Sequence, residues 1–219
     1  MVNLKNYTRC VIIAAAPYNS KELNFIKSEI NENDFILCAD GGFEKAEKIG
    51  IIPDLVIGDM DSNKKVIPLT INTIRLPIKK DDTDSMTCIK KSIELGFKEI
   101  IVLGGLGGRL DHSFANISAL LYAKNKNINI TLKNHNIEVK ILSNEFYVLN
   151  NKIGYTVSIF PFACLHTRLT LDGFEYPLKN SILNADNPIG ISNVIINATA
   201  TISVHKGNIL VFILYIRFK

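Results

Sequence analysis

The chain has 219 residues, of which 47% are apolar and 21% charged, and its 25 basic and 21 acidic residues leave a net charge of +4. This length allows one large domain or two small ones, and either can bury a substantial core. The basic residues occur in short pairs (Lys64-Lys65, Lys79-Lys80 and Lys90-Lys91) rather than in a long basic arm, so we expect no nucleic-acid partner.

The first part of the chain alternates short apolar runs with helical patterns. The runs predict strands at Val11–Ala16, Phe35–Ala39, Leu55–Ile57, Ile100–Leu103 and Ile128–Leu132, with an extended piece at Arg75–Ile78. Uninterrupted apolar strands are typical of a parallel sheet that is covered on both faces. The helices are predicted at Lys21–Ile30 (capped by Ser20), at Phe43–Ile49, at Asp84–Leu95, and from a cap at Asp111 to Lys124. We therefore expect an α/β domain over residues 1–134, with a Rossmann-like, layered and mostly parallel sheet.

The pattern of apolar and polar residues changes after residue 134. Strand-like pieces separated by Asn, Gly and Pro follow one another, and no helical period remains. This pattern predicts an all-β sandwich or jelly roll over residues 135–219, with the boundary in the Asn-rich region Lys124–Asn136. The last apolar run, Ile209–Ile216, is far shorter than the about 20 residues that cross a bilayer. Because the N-terminus also lacks the apolar core of a signal peptide, we expect a cytoplasmic protein without a membrane partner.

Carboxylates follow several of the predicted strands. Asp40 comes after the second strand, Asp59 and Asp61 after the third, and Asp81 and Asp84 after the extended piece. One such Asp is usually a cap or a turn residue. Several on one sheet edge, where α/β sheets bind ligands, would repel one another unless a cation lies among them. Oxygen ligands without a Cys or His cluster favour Mg²⁺.

A glycine run follows the Ile100–Leu103 strand, in the stretch GGLGGRLDH at 104–112. Glycines let backbone N–H groups approach phosphate oxygens, and the helix that follows presents its positive N-terminal end. Arg109 can bind phosphate with two parallel hydrogen bonds; the less favoured alternative is a surface arginine that bridges to a carboxylate. His112 and Asn116 are neighbours on one face of that helix, and His112 is assigned a supporting role. Metal and phosphate sites together indicate phosphoryl-transfer chemistry.

The stretches CADGG (38–42), PDLVIGDMDS (53–62), KKDDTD (79–84) and GGLGGRLDHSFANI (104–117) together resemble the thiamine pyrophosphokinase family. SIFPF (158–162), LDGFEYPL (171–178) and GISN (190–193) are similar to that family's β-domain signatures. The resemblance covers nearly the whole chain. It implies transfer of the pyrophosphate of ATP to the hydroxyl of thiamine, with AMP released, by a homodimer that has an α/β nucleotide domain and a β-domain that binds thiamine and dimerises.

The resemblance also implies roles for individual residues. It makes Asp59, Asp61 and Asp84 ligands of Mg²⁺, and Asp111 the residue that accepts or orients the hydroxyl proton, with Asp84 and Arg109 as further catalytic residues. The positions expected to bind ATP are Asp40, Gly41, Gly104, Gly105, Gly107, Gly108, Arg109 and His112. The positions expected to bind thiamine are Asp81, Asn116, Ser192 and Asn193.

The chain departs from the family pattern at Ala14–Ala16, where relatives often have glycines, and at Val194, where many bacterial members carry Glu. Two alternatives remain open. A haloacid-dehalogenase-like phosphatase also places a nucleophilic Asp in a DxD after an apolar strand, but it would not need the glycine run. A nucleotide-binding module without turnover could keep the same acidic residues.

Overall fold

The computed structural model describes residues 7–59, 67–77, 79 and 81–215. The fold is mixed α/β, with one large sheet and a second sheet of four strands. The chain divides into two compact units, Met1–His135 and Asn136–Lys219.

The first unit alternates strands and helices. Its strands are β1 (Arg9–Ile13), β2 (Asp34–Ala39), β3 (Leu55–Gly58), β4 (Asn72–Arg75), β5 (Glu99–Leu103) and β6 (Asn129–Asn134). Its helices are α1 (Ser20–Glu29), α2 (Gly42–Lys48), α3 (Asp84–Glu94) and α4 (Leu110–Lys124). Val11, Ile36, Cys38, Val56, Ile101 and Leu103 of the central strands are buried, as expected for strands covered on both faces.

The six strands of the first unit are parallel and lie in the order β6-β5-β1-β2-β3-β4. From β1 the chain builds outward through β2, β3 and β4, and it then returns to place β5 on the other side of β1. The strand order therefore reverses between β1 and β5. In open α/β sheets, ligands bind beyond the carboxyl ends of the strands at such a reversal.

Several predicted element positions in the first unit are wrong. The extended piece predicted at Arg75–Ile78 is strand β4, at Asn72–Arg75. Strand β1 ends at Ile13 rather than Ala16, although Ala14 and Ala16 still donate backbone hydrogen bonds to Leu103 and Gly104. Helix α1 is capped by Asn19 rather than Ser20, because the Asn19 side chain reaches the backbone N–H of Glu22.

The start of α4 was also predicted wrongly. Arg109 occupies its N-cap position, and Asp111 lies in the first turn of the helix instead of capping it. The side chain of Asp111 is engaged by Arg109, so the polar residue that looked like a cap forms an ion pair instead.

The second unit consists of antiparallel strands. They are β7 (Ile137–Ser143), β8 (Phe146–Asn150), β9 (Thr156–Pro161), β10 (His166–Asp172), β11 (Leu178–Asn184), β12 (Asn193–Val194), β13 (Thr199–Lys206) and β14 (Asn208–Leu214). Four of them lie in the order β12-β9-β14-β7 and the other four in the order β11-β10-β13-β8. Both sets contribute to one core, for example Val157 and Val211 from the first and Leu169 and Ile202 from the second.

Within the described residues, no helix is both long enough and apolar enough to cross a membrane.

Candidate active site

A cavity of about 600 Å³ lies in the first unit, at the carboxyl ends of β1, β2, β3 and β5. Its position coincides with the reversal of strand order between β1 and β5, where the sheet leaves a crevice. The cavity is lined by Ala14, Ala15, Ala16, Pro17, Ala39, Asp40, Asp59, Thr83, Asp84, Ser85, Gly105, Gly107, Arg109, Asp111, His112, Ala115 and Asn116.

Three carboxylates meet in this cavity. One carboxylate oxygen from each of Asp40, Asp59 and Asp84 lies within 4.8 Å of the other two. Asp40 follows β2 and Asp59 follows β3, and these strands pair in parallel through Ala39 and Ile57, so their carboxyl ends deliver neighbouring side chains. Asp61, the third metal ligand expected from the sequence, lies outside the described residues. The geometry instead adds Asp40, which the sequence had assigned to the nucleotide.

Gly58 allows the close approach of Asp40 to the end of β3. A Cβ atom at position 58 would stand 2.5 Å from the Cβ of Asp40, closer than non-bonded carbon atoms can pack. Asp40 itself has a positive φ of 30° and is 3% exposed, and its backbone N–H donates to the carbonyl of Ile57. The turn after β2 is thus held in a sparsely populated conformation, and this conformation places the Asp40 carboxylate beside Asp59.

Asp84 reaches the cluster as the first residue of α3. Thr83 caps this helix, since its hydroxyl oxygen accepts a hydrogen bond from the N–H of Met86 at 3.1 Å. A carboxylate in the first helical turn is favoured by the helix dipole. The cluster offers only hard oxygen donors, and this donor set fits Mg²⁺ rather than a metal that prefers nitrogen or sulfur.

Two glycines of the segment after β5 line the cavity, namely Gly105 and Gly107, whereas Gly104 and Gly108 pack against its wall. A Cβ at Gly104 would stand 3.0 Å from the carbonyl oxygen of Ala14, and one at Gly108 would stand 2.7 Å from Pro17. The segment is therefore packed tightly against the turn after β1. Gly41 is also outside the lining, and a Cβ there would stand 3.2 Å from the Cβ of Ala15.

Arg109 and Asp111 form an exposed, bidentate ion pair at the mouth of the cavity. The Nη2–Oδ2 distance is 2.5 Å and the Nε–Oδ1 distance is 3.1 Å. Hydrogen bonding from the Arg109 guanidinium lowers the pKa of Asp111 to about 2, and the backbone N–H of His112 also donates to this carboxylate. Exposed pairs of this kind add little to stability, because water and salt screen them. Arg109 can therefore exchange Asp111 for another anion at little energetic cost.

Asn116 and His112 both line the cavity, on the face of α4 that the sequence predicted. The side-chain amide of Asn116 donates to the carbonyl of Gly105 at 2.7 Å. This contact makes Asn116 a support of the glycine segment. The sequence had assigned it to thiamine, and spacing alone could not show that its amide is engaged by the backbone.

The other positions assigned to thiamine lie elsewhere. Asp81 is exposed and is outside the described lining of the cavity. Ser192 and Asn193 belong to the second unit. Ser192 is exposed and has a positive φ of 60°, and its N–H donates to the hydroxyl of Ser158.

Asn193 is 7% exposed, and its side chain bonds the polypeptide backbone. Its side-chain oxygen accepts from the N–H groups of Tyr176 and Val194, both at 3.0 Å, and its amide donates to the carbonyl of Tyr176 at 2.8 Å. Asn193 therefore ties β12 to the segment that contains Tyr176.

Sequence reasoning missed the lining residues Thr83 and Ser85 and the buried Lys45 beneath the wall. For Lys45 a signal was available. On a helix that begins at Gly42, position 45 falls on the same face as Ala46 and Ile49, which are buried, and this face packs on the sheet.

Two family models match the chain, one after the other. The model described as thiamin pyrophosphokinase, catalytic domain, matches residues 26–132, and the model described as thiamin pyrophosphokinase, vitamin B1 binding domain, matches residues 134–209. A thiamine pyrophosphokinase of Bacillus subtilis is 28% identical over 202 residues, which are 90% of this chain and 94% of that protein.

Solved structures show the same likeness. The crystal structure of thiamine pyrophosphokinase from Bacillus subtilis superposes with a TM-score of 0.83 at 26% identity, and the alignment covers 94% of this chain and 98% of that one. The thiamin pyrophosphokinase from Geobacillus thermodenitrificans has a TM-score of 0.79 at 24% identity, with 94% and 96% covered, and it supports the fold alone.

Proposed function

Because this chain belongs to the thiamine pyrophosphokinase family, we propose that it transfers the pyrophosphate group of ATP to the hydroxyl of thiamine, giving thiamine diphosphate and AMP. The observation that carries the proposal is the cavity in which three carboxylates and the glycine–arginine segment meet. Along the chain, the matched catalytic-domain model comes first and the matched vitamin B1 binding model follows it. They support a catalytic domain at residues 1–134 and a thiamine-binding and dimerisation domain at 135–219.

The carboxylates of Asp40, Asp59 and Asp84 would hold Mg²⁺, with Asp61 as a further ligand expected from the sequence. Their oxygen atoms lie within 4.8 Å of one another. Two oxygens on one Mg²⁺ are at most about 4.2 Å apart, so a small side-chain movement would bring all three onto one cation. When bound, the ion would neutralise negative charge on the phosphate oxygens of ATP. The protein must hold these three side chains close together. The close approach of Gly58 to Asp40 helps to do so, because it places the Asp40 carboxylate at the end of β3.

ATP would lie along the segment after β5. The backbone of Gly105 and Gly107 faces the cavity, and the N-terminal end of α4 favours an anion there. Arg109 can leave Asp111 and bind phosphate, since a guanidinium recognises both anions with the same planar geometry. Gly41, Gly104 and Gly108 would act by close backbone packing.

The reaction forms a bond between the thiamine hydroxyl oxygen and the β-phosphorus of ATP, and AMP departs with the oxygen that bridged the α- and β-phosphorus. Phosphoryl transfer of this kind depends on positioning and charge neutralisation rather than on a strong base. Once Arg109 has moved to the phosphate, the Asp111 carboxylate can accept a hydrogen bond from the thiamine hydroxyl. We therefore assign Asp111 to orienting the hydroxyl. His112, which lines the same entrance of the cavity, is assigned a supporting role.

The remaining family features complete the proposal. Ser192 would face thiamine, Asn193 would hold the Tyr176 segment, Asn116 would support the glycine segment, and Asp81 would add negative charge that attracts the thiamine cation. A Rossmann-like first sheet, a sandwich or jelly-roll second domain, a homodimer and a cytoplasmic location also belong to this proposal.

The direct test incubates the purified protein with ATP, Mg²⁺ and thiamine and follows AMP and thiamine diphosphate. Equal amounts of both products are expected, and omission of thiamine should abolish AMP formation. If folded protein makes neither product, the proposed function is wrong. A phosphorylated Asp59 without AMP would favour the phosphatase alternative instead.

A further inference from the structure

Lys45 carries a buried positive charge that the proposed mechanism does not use. Its side chain is 1% exposed, and its ammonium group donates to the carbonyl of Ala14. An ammonium group has three N–H donors. Within the described part of the chain, its other contact is the face of the Tyr18 ring, 5.4 Å from the nitrogen. A buried charge with so few partners lowers the stability of the folded protein, so stability alone does not explain why a lysine is present here.

The ammonium group of Lys45 lies directly behind the wall of the cavity. Ala14, whose carbonyl it binds, lines the cavity, and Gly104 begins the glycine segment. A Cβ at Gly104 would stand 3.4 Å from the Lys45 nitrogen and 3.0 Å from the Ala14 oxygen. The ammonium group therefore binds one of the two backbone segments that meet where the strand order reverses, and lies beside the other.

Tight packing of α2 on β1 sets this position. A Cβ at Gly42, the first residue of α2, would stand 1.9 Å from the carbonyl oxygen of Ile13, so only glycine allows the helix to begin so close to the end of β1. Lys45 follows one turn later on the same face. Its charge is thereby directed at the carboxyl end of the sheet.

We propose that Lys45 is a positioning residue of the nucleotide site, which holds the Ala14 carbonyl against the glycine segment and places a buried positive charge behind the wall that faces the phosphates of ATP. This inference rests on the proposed function for the identity of the ligand. A buried charge is screened less by water and salt than an exposed one. It would offset the repulsion between phosphate and the carboxylates of Asp40, Asp59 and Asp84.

The charge on Lys45 can be followed by measuring whether a proton is taken up when ATP binds. Burial lowers the pKa of its ammonium group to about 8, while Glu22 on α1, Cys38 on β2 and Glu44 on α2 act in the opposite direction. Phosphate close to the group would favour the charged form and raise this pKa. ATP binding should therefore take up a proton at pH 8.5, where the free protein has partly lost it, and should take up much less at pH 7.

The test measures the dissociation constant of ATP with Mg²⁺, without thiamine, by calorimetry in buffers of different ionisation enthalpy. Lys45→Met keeps the length of the side chain and removes its charge, and Lys45→Arg keeps the charge. The matched control is Lys48→Met on the same helix, since Lys48 is exposed and pairs with Glu44.

We expect Lys45→Met to weaken ATP binding about tenfold, equivalent to about 1.4 kcal/mol, and to abolish proton uptake at pH 8.5. Lys45→Arg should recover part of the affinity, and Lys48→Met should change it less than about twofold. In turnover assays the KM for ATP should rise while the KM for thiamine stays the same, a split that general loss of structure would not produce.

Wild-type affinity and proton uptake in folded Lys45→Met would overturn the inference. If Lys45→Met fails to fold, the wild-type protein still decides, because binding of ATP without proton uptake at pH 8.5 overturns it equally. Binding of ATP without any thiamine diphosphate formed would contradict the proposed function and leave this test intact. A wild-type protein that binds no ATP contradicts both.

Discussion

A side chain at position 58 would collide with Asp40, because a Cβ on Gly58 would stand 2.5 Å from the Cβ and 2.9 Å from the Cα of Asp40. The contact involves the backbone of a buried residue, so neither partner can turn away. We expect Gly58→Ala to displace the Asp40 carboxylate and to lower kcat/KM about a hundredfold, as misplacement by about 1 Å can do. The measurement is activity as a function of Mg²⁺ concentration, whose midpoint should rise.

Gly50→Ala is the control for that variant. Gly50 lies in the loop that follows α2 and has a φ of +73°, and a Cβ there would meet nothing within 4 Å. Its substitution costs about 1–2 kcal/mol through backbone strain but leaves the carboxylates in place. Equal losses of activity in the two variants would show that stability alone explains the effect.

Asp59 is expected to matter for activity rather than for stability. Asp59→Asn should lower activity at least about a hundredfold. Loss of a residue that only hydrogen-bonds to a metal ligand lowers activity by up to about a hundredfold, and a direct ligand should matter at least as much. In the presence of a chelator, its free energy of unfolding should equal or exceed that of the wild type, since one of three neighbouring like charges has gone. Denaturant titration of both proteins checks this, with the exposed Asp186→Asn as control. An Asp59→Asn variant that unfolds would make Asp59 structural.

The pair of Arg109 and Asp111 predicts a specific pH dependence. Because the pKa of Asp111 is lowered to about 2 in the folded protein, its carboxylate stays charged throughout the pH range of an ordinary assay. The contribution of the pair is complete above the ordinary pKa of 3.8 and is lost as the pH falls through about 2. An acidic limb of the rate profile near pH 6 would therefore belong to another group.

Arg109→Met should raise the pKa of Asp111 toward its ordinary value. Carbon NMR of the Asp111 carboxyl group measures this shift directly, and Lys90→Met, which removes the partner of Asp82, should leave it unchanged. An unaltered pKa in Arg109→Met would show that the ion pair does not form in solution.

Asn193 is expected to stabilise the second unit. Asn193→Ala removes hydrogen bonds to both backbone groups of Tyr176. At about 1 kcal/mol for each bond, the free energy of unfolding should fall by about 2 kcal/mol. The KM for thiamine should rise and the KM for ATP should not. Ser192→Ala, whose backbone bond to Ser158 persists, should change stability by less than about 0.5 kcal/mol. Equal stability of the two variants would contradict the role given to Asn193.

Much of the fold followed from local sequence patterns. The apolar runs at Phe35–Ala39 and Ile100–Leu103 coincide closely with β2 and β5, and the glycines at 50 and 96 follow α2 and α3 closely. The ends of β1 and α4 did not follow, because Ala14 continues an apolar run and Asp111 is a good capping residue. For Ala14 a tertiary contact with β5 decided, whereas Asp111 is engaged by a local ion pair with Arg109, two residues earlier.

The sequence by itself determined which chemical groups this protein brings to the carboxyl edge of its sheet, because parallel strands all end there and several of them are followed by a carboxylate or a glycine segment. Tertiary structure alone decided which of these groups touch. Asp40 joins Asp59 and Asp84 since Gly58 leaves room for it, Asn116 turns to the backbone of Gly105, and Lys45 is buried behind Ala14. These contacts depend on distances between elements far apart in the chain, and residue spacing along the chain does not contain them.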